Sequence, residues 1–389
     1  MTAPKPRVFF YVQHLLGIGH LARASRIANA LVADGFVVTL VTGGLPVAGF
    51  PGPGIEHVAL PAVAVADGDF SGLVDAEGQP VDDAFRAGRQ AQLLAAYQVA
   101  RPDVVLIEAF PFGRRQVRVE LLALIDAIGT TTPRPLLLTS LRDILQRRSK
   151  PKRDEETVAL IRQHFDGVLV HGDRDFAALE ETFPLASEIE DRIHYTGLVC
   201  GTPPEPASDR FEVVVSAGGG AVGAELVGAA LEAALLLPDV ASWCVITGPN
   251  LPQADFDRFS AQAPAHVSLV RFRTDFPNLL VNATLSVSQA GYNTVGDILQ
   301  AGCRALLIPF SIGGETEQSD RAERLQKLGR ANVLSDADLT GPGMAQAIRQ
   351  SLALPPVTEA PQLSTGGAAR TAEILRALLA ESRATSAAT

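Results

Sequence analysis

Short apolar runs alternate with amphipathic stretches along the first part of the chain. Residues 7–12 form an apolar run that predicts a buried strand. Within residues 20–34, apolar positions recur every three or four residues, which predicts a helix. Asp34 and Gly35 end this helix, and a second apolar run follows directly. A strand, a helix and a strand in this order predict a βαβ unit and therefore a parallel sheet.

The alternation runs in two series that are separated by a proline-rich segment. Residues 197–210 contain three prolines and no apolar period, which predicts a linker. We therefore predict two facing, doubly wound α/β domains with the ligand site in the cleft between them, because such sheets bind ligands beyond the carboxyl ends of their strands. The predicted parts are an N-terminal domain, a linker, a C-terminal domain, and a helix with a disordered tail, at residues 1–198, 199–209, 210–366 and 367–389.

Composition limits the class of protein. The 389 residues are 47% hydrophobic and 20% charged, which indicates a folded chain long enough for two domains. The net charge of −10 argues against a nucleic-acid partner. The three cysteines lack the spacing of a zinc site or a disulfide framework. No signal peptide and no run of about 18 apolar residues is found, so we expect a cytoplasmic protein.

Three consecutive glycines, Gly218, Gly219 and Gly220, stand between an apolar run and a helical stretch. Glycines at the start of a helix let backbone N–H groups approach an anion, and the helix dipole favours negative charge there. The segment is neither a Gly-x-Gly-x-x-Gly fingerprint nor a P-loop. It predicts a phosphate-binding loop, and the alternative is a plain flexible turn.

The segment "SQAGYNTVGDIL" repeats the strand–turn–helix arrangement. Gly291 makes the predicted turn, and Asn293 and Thr294 are predicted to cap a helix over residues 294–301. Asp297 would then be the third or fourth helical residue, where its carboxylate can accept the hydroxyl groups of a ribose. The alternative is an ordinary capped turn in which Asp297 complements the helix dipole.

Glu317 and Gln318 follow a third loop, which is polar and contains glycines. A helix is predicted to start near Glu317. Acceptors and donors at that position suit the hydroxyl groups of a sugar, and the alternative is a solvated helix start.

The loop after the first predicted strand contains two glycines and two histidines. Gly17 and Gly19 would leave room for a sugar or a phosphate. His20 can act as a general base because its unperturbed pKa lies near neutrality, and the alternative is a helix cap. Arg23 lies one helical turn further on, where it can steer a diphosphate or remain solvated. His14 is predicted to be structural or to line an acceptor site.

Together these segments resemble the B-type-fold (GT-B) glycosyltransferases, and within them the MurG-like nucleotide-sugar transferases. The resemblance covers the architecture of most of the chain and is sharp over residues 216–223 and 267–329. The Gly-x-Gly-His-x-x-Arg arrangement of residues 17–23 also resembles the PseG-type nucleotide-sugar hydrolases. The resemblance implies two Rossmann-like domains and a nucleotide diphosphate sugar as donor, with uridine as the implied base.

The resemblance also implies roles for the motif residues. The donor base would stack near Arg271 and Phe272, and the donor sugar would contact Glu317 and Gln318. Phosphate contacts are implied for Gly218, Gly219, Gly220, Gly291, Asn293 and Thr294, and a ribose contact for Asp297.

Two residues depart from the family pattern. Asp297 stands where the family usually has a glutamate, so its side chain is one methylene shorter. Gln289 stands where many relatives have a histidine beside the phosphates. The phosphate charge would then be balanced by backbone dipoles or by an arginine from elsewhere in the chain.

Further polar residues follow predicted strands of the N-terminal domain. Glu108 and Arg142 are predicted to contact the acceptor or its phosphates, and the alternative for each is a salt bridge within a loop. Ser140 and His171 lie at similar positions. The basic run within residues 146–156 predicts a solvated loop, and the alternative is contact with anionic lipid headgroups. Asp-x-Asp triplets occur four times, which makes that pattern uninformative, so we expect no metal and no cofactor.

These observations favour a glycosyltransferase that moves a sugar from a nucleotide diphosphate sugar to an acceptor hydroxyl. His20 would be the general base, and by the resemblance the reaction would be inverting and independent of metal. One alternative is a nucleotide-sugar hydrolase or epimerase on the same scaffold. Another is a binding module without catalysis. The sequence specifies neither the acceptor nor the oligomeric state.

Overall fold

The computed structural model describes residues 4–15, 17–47, 49–66, 69–146, 151–218, 223–310, 315–354 and 363–388. The chain divides into two compact units. Unit 1 comprises residues 1–199 and 366–389, and unit 2 comprises residues 200–365. Each unit has its own cluster of buried apolar side chains.

Unit 1 is built on a parallel sheet. The described strands of this unit are β1 (Arg7–Val12), β2 (Val37–Thr42), β3 (Glu56–Ala59), β4 (Ala64–Ala66), β5 (Asp69–Val74), β6 (Val104–Glu108), β7 (Leu136–Arg142), β8 (Gly167–His171) and β9 (Ile193–Tyr195). Seven of them form one sheet in the order β3-β2-β1-β6-β7-β8-β9, while β4 and β5 pair with each other as an antiparallel ribbon. The strand order reverses between β1 and β6, and such switch points are where doubly wound sheets bind ligands.

Helices connect these strands. The described helices before residue 200 are α1 (Gly19–Ala33), α2 (Asp83–Ala100), α3 (Arg118–Thr130) and α4 (Pro151–His164), with 3-10 turns at Arg115–Val117, Leu179–Glu181 and Ala186–Arg192. The strands β1, β6 and β8 are almost completely buried because helices cover both faces of such a sheet.

Unit 2 repeats the architecture with a six-stranded parallel sheet. The described strands are β10 (Val213–Ser216), β11 (Trp243–Ile246), β12 (Val267–Val270), β13 (Leu285–Ser288), β14 (Ala305–Leu307) and β15 (Ala331–Val333). The described helices are α5 (Ala224–Leu236), α6 (Gln253–Gln262), α7 (Phe276–Asn282), α8 (Tyr292–Ala301), α9 (Glu317–Lys327) and α10 (Gly341–Ala353), with a 3-10 turn at Asp336–Asp338. The order β12-β11-β10-β13-β14-β15 reverses between β10 and β13. The predicted pair of doubly wound α/β domains is confirmed.

The predicted linker is attached to unit 2. Asn278 Nδ2 donates a hydrogen bond to the carbonyl oxygen of Glu205 at 2.6 Å, and Asn282 Nδ2 donates to that of Ala207 at 2.7 Å. Both asparagines belong to α7, so this part of the proline-rich segment follows the surface of unit 2.

The last helix, α11 (Gly367–Ala388), packs against α1 in unit 1. The guanidinium of Arg376 is bonded to the carboxylate and the backbone carbonyl of Asp34, and it lies 4.8 Å from the centre of the Phe36 ring. The prediction of a disordered tail after residue 381 was wrong, because the helix continues to Ala388. Alanines and intrahelical hydrogen bonds such as that of Thr385 with Glu381 favour its continuation.

A buried polar network joins α2 and α3 to the ends of β1 and β2. Arg89 Nε donates to Glu120 Oε2 at 2.7 Å, and Tyr11 donates to Glu120 Oε1 at 2.5 Å. Arg89 also donates to Gln13 Oε1 at 2.5 Å and to the carbonyl oxygen of Gly43 at 3.0 Å. The side chains of Tyr11, Gln13, Arg89 and Glu120 are all buried, so the network fixes where the loops after β1 and β2 begin.

Candidate active site

His20 lies beside the switch point of unit 1, at the start of α1. The N-cap of α1 is Ile18, so His20 is the second helical residue and not the cap. Its Nδ1 atom lies 3.0 Å from Oε1 of Glu108, the last residue of β6. The sequence placed these two residues on different strand ends, and the pairing of β1 with β6 brings them together.

Glu108 is completely buried and each of its oxygens accepts a hydrogen bond. Arg23 forms an ion pair with Oε1, and Ser140 Oγ donates to Oε2 at 2.6 Å. Burial alone would raise the pKa of Glu108, but the charge of Arg23 and the hydrogen bonds from His20 and Ser140 outweigh it and hold this pKa far below its usual range. Glu108 is therefore a carboxylate at neutral pH.

The geometry favours the salt-bridge alternative for Glu108 and makes Arg23 its partner. Both side chains are buried and in contact with each other. Both also lie within 3.4 Å of His20 Nδ1. Arg23 fixes the charge and position of Glu108, and Glu108 accepts the Nδ1 hydrogen of His20.

His20 is neutral in the free protein. Burial and the positive charge of Arg114 lower its pKa to about 3, although the hydrogen bond to Glu108 acts in the opposite direction. A neutral imidazole that donates from Nδ1 to a carboxylate has its lone pair on Nε2. The side chain of His20 is 22% exposed, so the ring is accessible from solvent. Such an imidazole can accept a proton from a hydroxyl group.

Two more arginines stand near this pair. Arg114 ends a turn that starts at Ala109, and both residues have positive φ angles, 58° and 62°, which is costly for residues other than glycine. Burial lowers the pKa of Arg114 to about 10, and the charges of Arg142 and Arg23 act in the same direction. The Nε atom of Arg114 is buried and has no hydrogen-bond partner within the described part of the chain. The charges of Arg23 and Arg114 thus both act on Glu108 and His20, and positive charge at this place favours an anionic ligand.

The remaining predicted residues of the first loop have different surroundings. His14 is buried, and its Nε2 donates to the carbonyl oxygen of Leu45 at 2.8 Å, so it joins the ends of β1 and β2. Burial lowers its pKa. A Cβ atom at Gly17 would meet no described atom within 4 Å, and Gly19 is the first residue of α1.

Gly218 and Gln289 meet at the switch point of unit 2. Gly218 follows β10, and Gln289 follows the neighbouring strand β13. A Cβ atom at Gly218 would lie 3.1 Å from Gln289 Oε1, and the φ angle of Gly218 is +79°. Gly219 and Gly220, also predicted as phosphate ligands, lie outside the described residues.

Replacing Gly218 by alanine should destabilise unit 2 by about 1–2 kcal/mol, because an L side chain is strained at a positive φ angle. The added methyl group would also press on the amide of Gln289. Denaturant unfolding followed by the fluorescence of Trp243, the single tryptophan, reports this unit. Gly228→Ala on α5 is the control, since its Cβ would make ordinary contacts of 3.5 Å with Phe259. Equal stability of the two variants would contradict the strain at Gly218.

Helix α8 begins earlier than predicted. Its N-cap is Gly291, so Asn293 and Thr294 are the second and third helical residues, and the prediction that they cap the helix was wrong. Glycine can take the N-cap position through its backbone alone. The N–H groups of the first helical turn have no partner within a helix and are suited to bind an anion. Asp297 becomes the sixth helical residue and is buried.

Arg271 and Phe272, which were predicted to bind the donor base, have different surroundings. The guanidinium of Arg271 donates to the carbonyl oxygen of Leu251 at 2.8 Å and to Gln253 Oε1 at 2.6 Å, and it lies 4.3 Å from the centre of the Phe256 ring. Arg271 thus holds α6 against the end of β12. The neighbouring ring of Phe272 is 60% exposed and remains available for stacking.

Glu317 and Gln318 open α9 as predicted, and both make contacts inside unit 2. The carboxylate of Glu317 is buried and accepts from Arg321 at 2.7 Å, while Gln318 Oε1 accepts from the backbone N–H of Phe310 at 3.2 Å. Arg321 also donates to the carbonyl oxygen of Ala290 at 2.9 Å. It places a buried positive charge under the loop before α8, which the sequence analysis missed. The one signal in the sequence for the ion pair of Glu317 with Arg321 is their spacing of four residues.

Two features are absent from the described residues. No group of three or more histidine, cysteine, aspartate or glutamate side chains could hold a metal ion there. Among the same residues, no helix has the length and apolar content that crossing a bilayer requires.

The second half of the chain matches a known domain family. Residues 214–373 match the model of the glycosyltransferase family 28 C-terminal domain. A stretch of 133 residues is 30% identical to the UDP-N-acetylglucosamine--N-acetylmuramyl-(pentapeptide) pyrophosphoryl-undecaprenol N-acetylglucosamine transferase of Herminiimonas arsenicoxydans. It covers 34% of this chain and 37% of that relative, so the chain matches little more than a third of the relative's length.

Solved structures resemble nearly the whole chain. The glycosyltransferase of kitacinnamycin superposes with a TM-score of 0.66 at 17% identity, covering 97% of this chain and 100% of that one. MurG of Acinetobacter baumannii superposes with a TM-score of 0.58 at 16% identity, covering 95% and 99%. At these identities the likeness establishes the fold alone. The predicted resemblance is confirmed: the chain has the GT-B fold of MurG-like glycosyltransferases, and its second half resembles the family 28 C-terminal domain.

Proposed function

We propose that this chain transfers a sugar from a nucleotide diphosphate sugar to an acceptor hydroxyl, with His20 as the general base. The observation that supports the proposal most is the contact of 3.0 Å between His20 Nδ1 and the buried carboxylate of Glu108. This contact sets the tautomer that leaves the His20 Nε2 lone pair for catalysis.

In the proposed step, the acceptor hydroxyl gives its proton to His20 Nε2 while its oxygen forms a bond to the anomeric carbon. The bond from that carbon to the diphosphate oxygen breaks, and the nucleoside diphosphate leaves with the electron pair. The charge that develops on the imidazole is stabilised by the carboxylate of Glu108. A single displacement of this kind inverts the anomeric configuration and requires no metal.

Unit 2 would bind the donor. We assign the diphosphate to Gly218 and to the first backbone N–H groups of α8, the ribose to Asp297 and the base to Phe272. Arg321 would supply positive charge under the loop and hold Glu317 in place for the sugar. The name of the relative from Herminiimonas arsenicoxydans gives UDP-N-acetylglucosamine as its donor, which supports uridine as the base.

The acceptor would be bound by unit 1, and the positive charges of Arg23 and Arg114 beside Glu108 favour one that carries negative charge. The relative from Herminiimonas acts on a pyrophosphoryl-undecaprenol, which is consistent with an acceptor of that kind. We propose accordingly that this protein is cytoplasmic and contacts the membrane surface weakly, where a lipid-linked acceptor would lie. Of the basic run proposed for that contact, residues 147–150 lie outside the described part, and α4 begins at Pro151.

Thermal unfolding with different nucleoside diphosphates tests the donor site. We expect uridine diphosphate to stabilise the protein more than the guanosine, adenosine, thymidine or cytidine compounds do. A ligand at about 100 times its Kd adds roughly 2.7 kcal/mol, which is a readable shift. An absence of response to all five would overturn the nucleotide-sugar proposal.

The same measurement on Phe272→Ala tests the base position. Stacking of a base on an aromatic ring contributes about 1–3 kcal/mol, so the stabilisation by uridine diphosphate should be largely lost. Leu235→Ala is the matched control, because Leu235 is an equally exposed apolar residue on α5 of the same unit.

Product analysis separates the transferase from the alternatives. With the donor alone, a transferase releases free sugar slowly, whereas a nucleotide-sugar hydrolase releases it rapidly. A binding module would respond to the nucleotide but show no turnover with any acceptor.

A further inference from the structure

A row of buried, hydrogen-bonded side chains extends from Glu108 across the neighbouring strands of unit 1. Ser140 Oγ lies 2.6 Å from Glu108 Oε2 and 3.0 Å from His171 Nε2. His171 Nδ1 lies 2.9 Å from Thr196 Oγ1. These residues belong to β7, to β8 and to the segment after β9, so the contacts follow the edge of the sheet where its strands end.

None of these side chains reaches water. Ser140 and His171 are fully buried and Thr196 nearly so. Buried polar groups satisfy their hydrogen bonds inside the protein, so each hydrogen in this chain must have a defined acceptor. Burial, together with the charge of Arg23, lowers the pKa of His171 to about 3, so its imidazole carries one hydrogen at neutral pH.

The number of available hydrogens determines which group donates and which accepts in each of these hydrogen bonds. Glu108 is ionised and can only accept, so the single hydrogen of Ser140 points to it. Ser140 Oγ must then accept from His171, which places the imidazole hydrogen on Nε2. His171 Nδ1 is left with a lone pair and accepts from the hydroxyl group of Thr196.

We infer that Ser140, His171 and Thr196 form an oriented hydrogen-bond relay whose function is to position Glu108 for His20. The inference rests on the proposed function of His20. The three are positioning residues, because they are buried behind Glu108 and act through it. Both oxygens of the Glu108 carboxylate are bound: Oε2 accepts from Ser140 of the relay, and Oε1 contacts Arg23 and His20.

The hydroxyl group of Thr196 also lies 2.8 Å from the carbonyl oxygen of Gly197. Its single hydrogen is donated to His171 Nδ1 when the imidazole hydrogen is on Nε2, and to Gly197 when the imidazole hydrogen is on Nδ1. Glu108 is a carboxylate wherever the imidazole of His171 is neutral, so the first arrangement is expected.

Nitrogen NMR of the full-length protein with labelled histidine tests the relay without any substrate. At neutral pH we expect the Nε2–H tautomer at His171 and the Nδ1–H tautomer at His20. In Ser140→Ala, His171 loses its acceptor at Nε2 and should change to the Nδ1–H tautomer, which Thr196 can accept. A wild-type His171 with its hydrogen on Nδ1 would overturn the relay.

The neighbouring residue Thr139 provides a matched control. Its hydroxyl is buried on the same strand and has no hydrogen-bond partner among the residues described. Thr139→Val should leave both histidine tautomers unchanged. Thr196→Val is a second, shape-conserving test if Ser140→Ala fails to fold: it removes the far donor and should shift the resonance of His171 Nδ1. An unchanged Nδ1 resonance in that variant would contradict the proposed donor-to-acceptor direction of the hydrogen bonds in the relay.

Two further readouts separate positioning from a merely structural role. Outer partners of this kind change activity by about 10-fold or more, so kcat/KM of Ser140→Ala should fall by about 10-fold. The midpoint of His20 protonation, followed by NMR, should move to higher pH, because Glu108 without the Ser140 hydrogen bond stabilises the imidazolium more strongly. If the tautomers are as expected but His20→Ala keeps full turnover, the relay stands and the proposed function fails.

Discussion

Replacing His20 by alanine is expected to lower turnover by about 10²–10⁴-fold while leaving nucleotide binding unchanged. A positioned general base contributes rate of that order, and alanine offers no proton acceptor. Stabilisation by uridine diphosphate in the variant is the internal control, because the residues that we assign to the donor lie in unit 2. Full turnover in the variant would remove His20 from the mechanism.

The pH dependence sharpens this test. A general base works in its unprotonated form, so a pKa lowered to about 3 keeps His20 active at pH values well below the usual histidine pKa of about 6.5. We therefore expect kcat/KM to show no acid limb near pH 6.5. A loss of activity centred there would show that His20 titrates as an ordinary, solvated histidine.

Arg89→Ala is expected to destabilise unit 1 by about 3–5 kcal/mol, because removing one partner of a buried ion pair leaves the other charge uncompensated. The change leaves the carboxylate of Glu120 without its counter-charge and removes the hydrogen bond of 2.5 Å to Gln13 Oε1. Arg86→Ala, an exposed arginine one turn earlier on α2, is the control and should lie within about 0.5 kcal/mol of the wild type.

Two probes locate the effect of Arg89→Ala. Far-ultraviolet circular dichroism follows both units, whereas fluorescence follows Trp243 in unit 2. We expect the dichroism transition of the variant to move to lower denaturant concentration and the fluorescence transition to stay in place. A shift of equal size in both probes would mean that the units unfold as one cooperative body.

Local sequence signals predicted most elements of the fold. The helix predicted over residues 20–34 is observed as α1, Gly19–Ala33, because the apolar side chains that recur at helical spacing along it are buried. The start of α9 at Glu317 was also correct. The error at α8 arose where Gly291 caps the helix without a side chain, so that Asn293 and Thr294 gave a misleading signal.

The sequence predicted which residues at strand ends belong to the candidate site, but it did not predict which of them contact each other. Sequence reasoning named His20, Arg23 and Glu108, yet assigned Glu108 to the acceptor because its pairing with His20 depends on the order β1-β6 in the sheet. Arg114 and Arg321 were missed because their burial, and the contact of Arg321 with the carbonyl oxygen of Ala290, depend on the fold. Pairings across a sheet have no periodic signature in one sequence.

The position of α11 has a consequence for synthesis in the cell. A chain leaves the ribosome from its N-terminus, and domains usually complete in that order. Here the helix that carries His20 is made before unit 2, while its packing partner α11 is made after unit 2. Unit 2 is therefore complete while unit 1 still lacks a helix. The nascent chain gains the contacts between α1 and α11 only after unit 2 has been made, so a product truncated before Gly367 would contain an intact unit 2 and an incomplete unit 1.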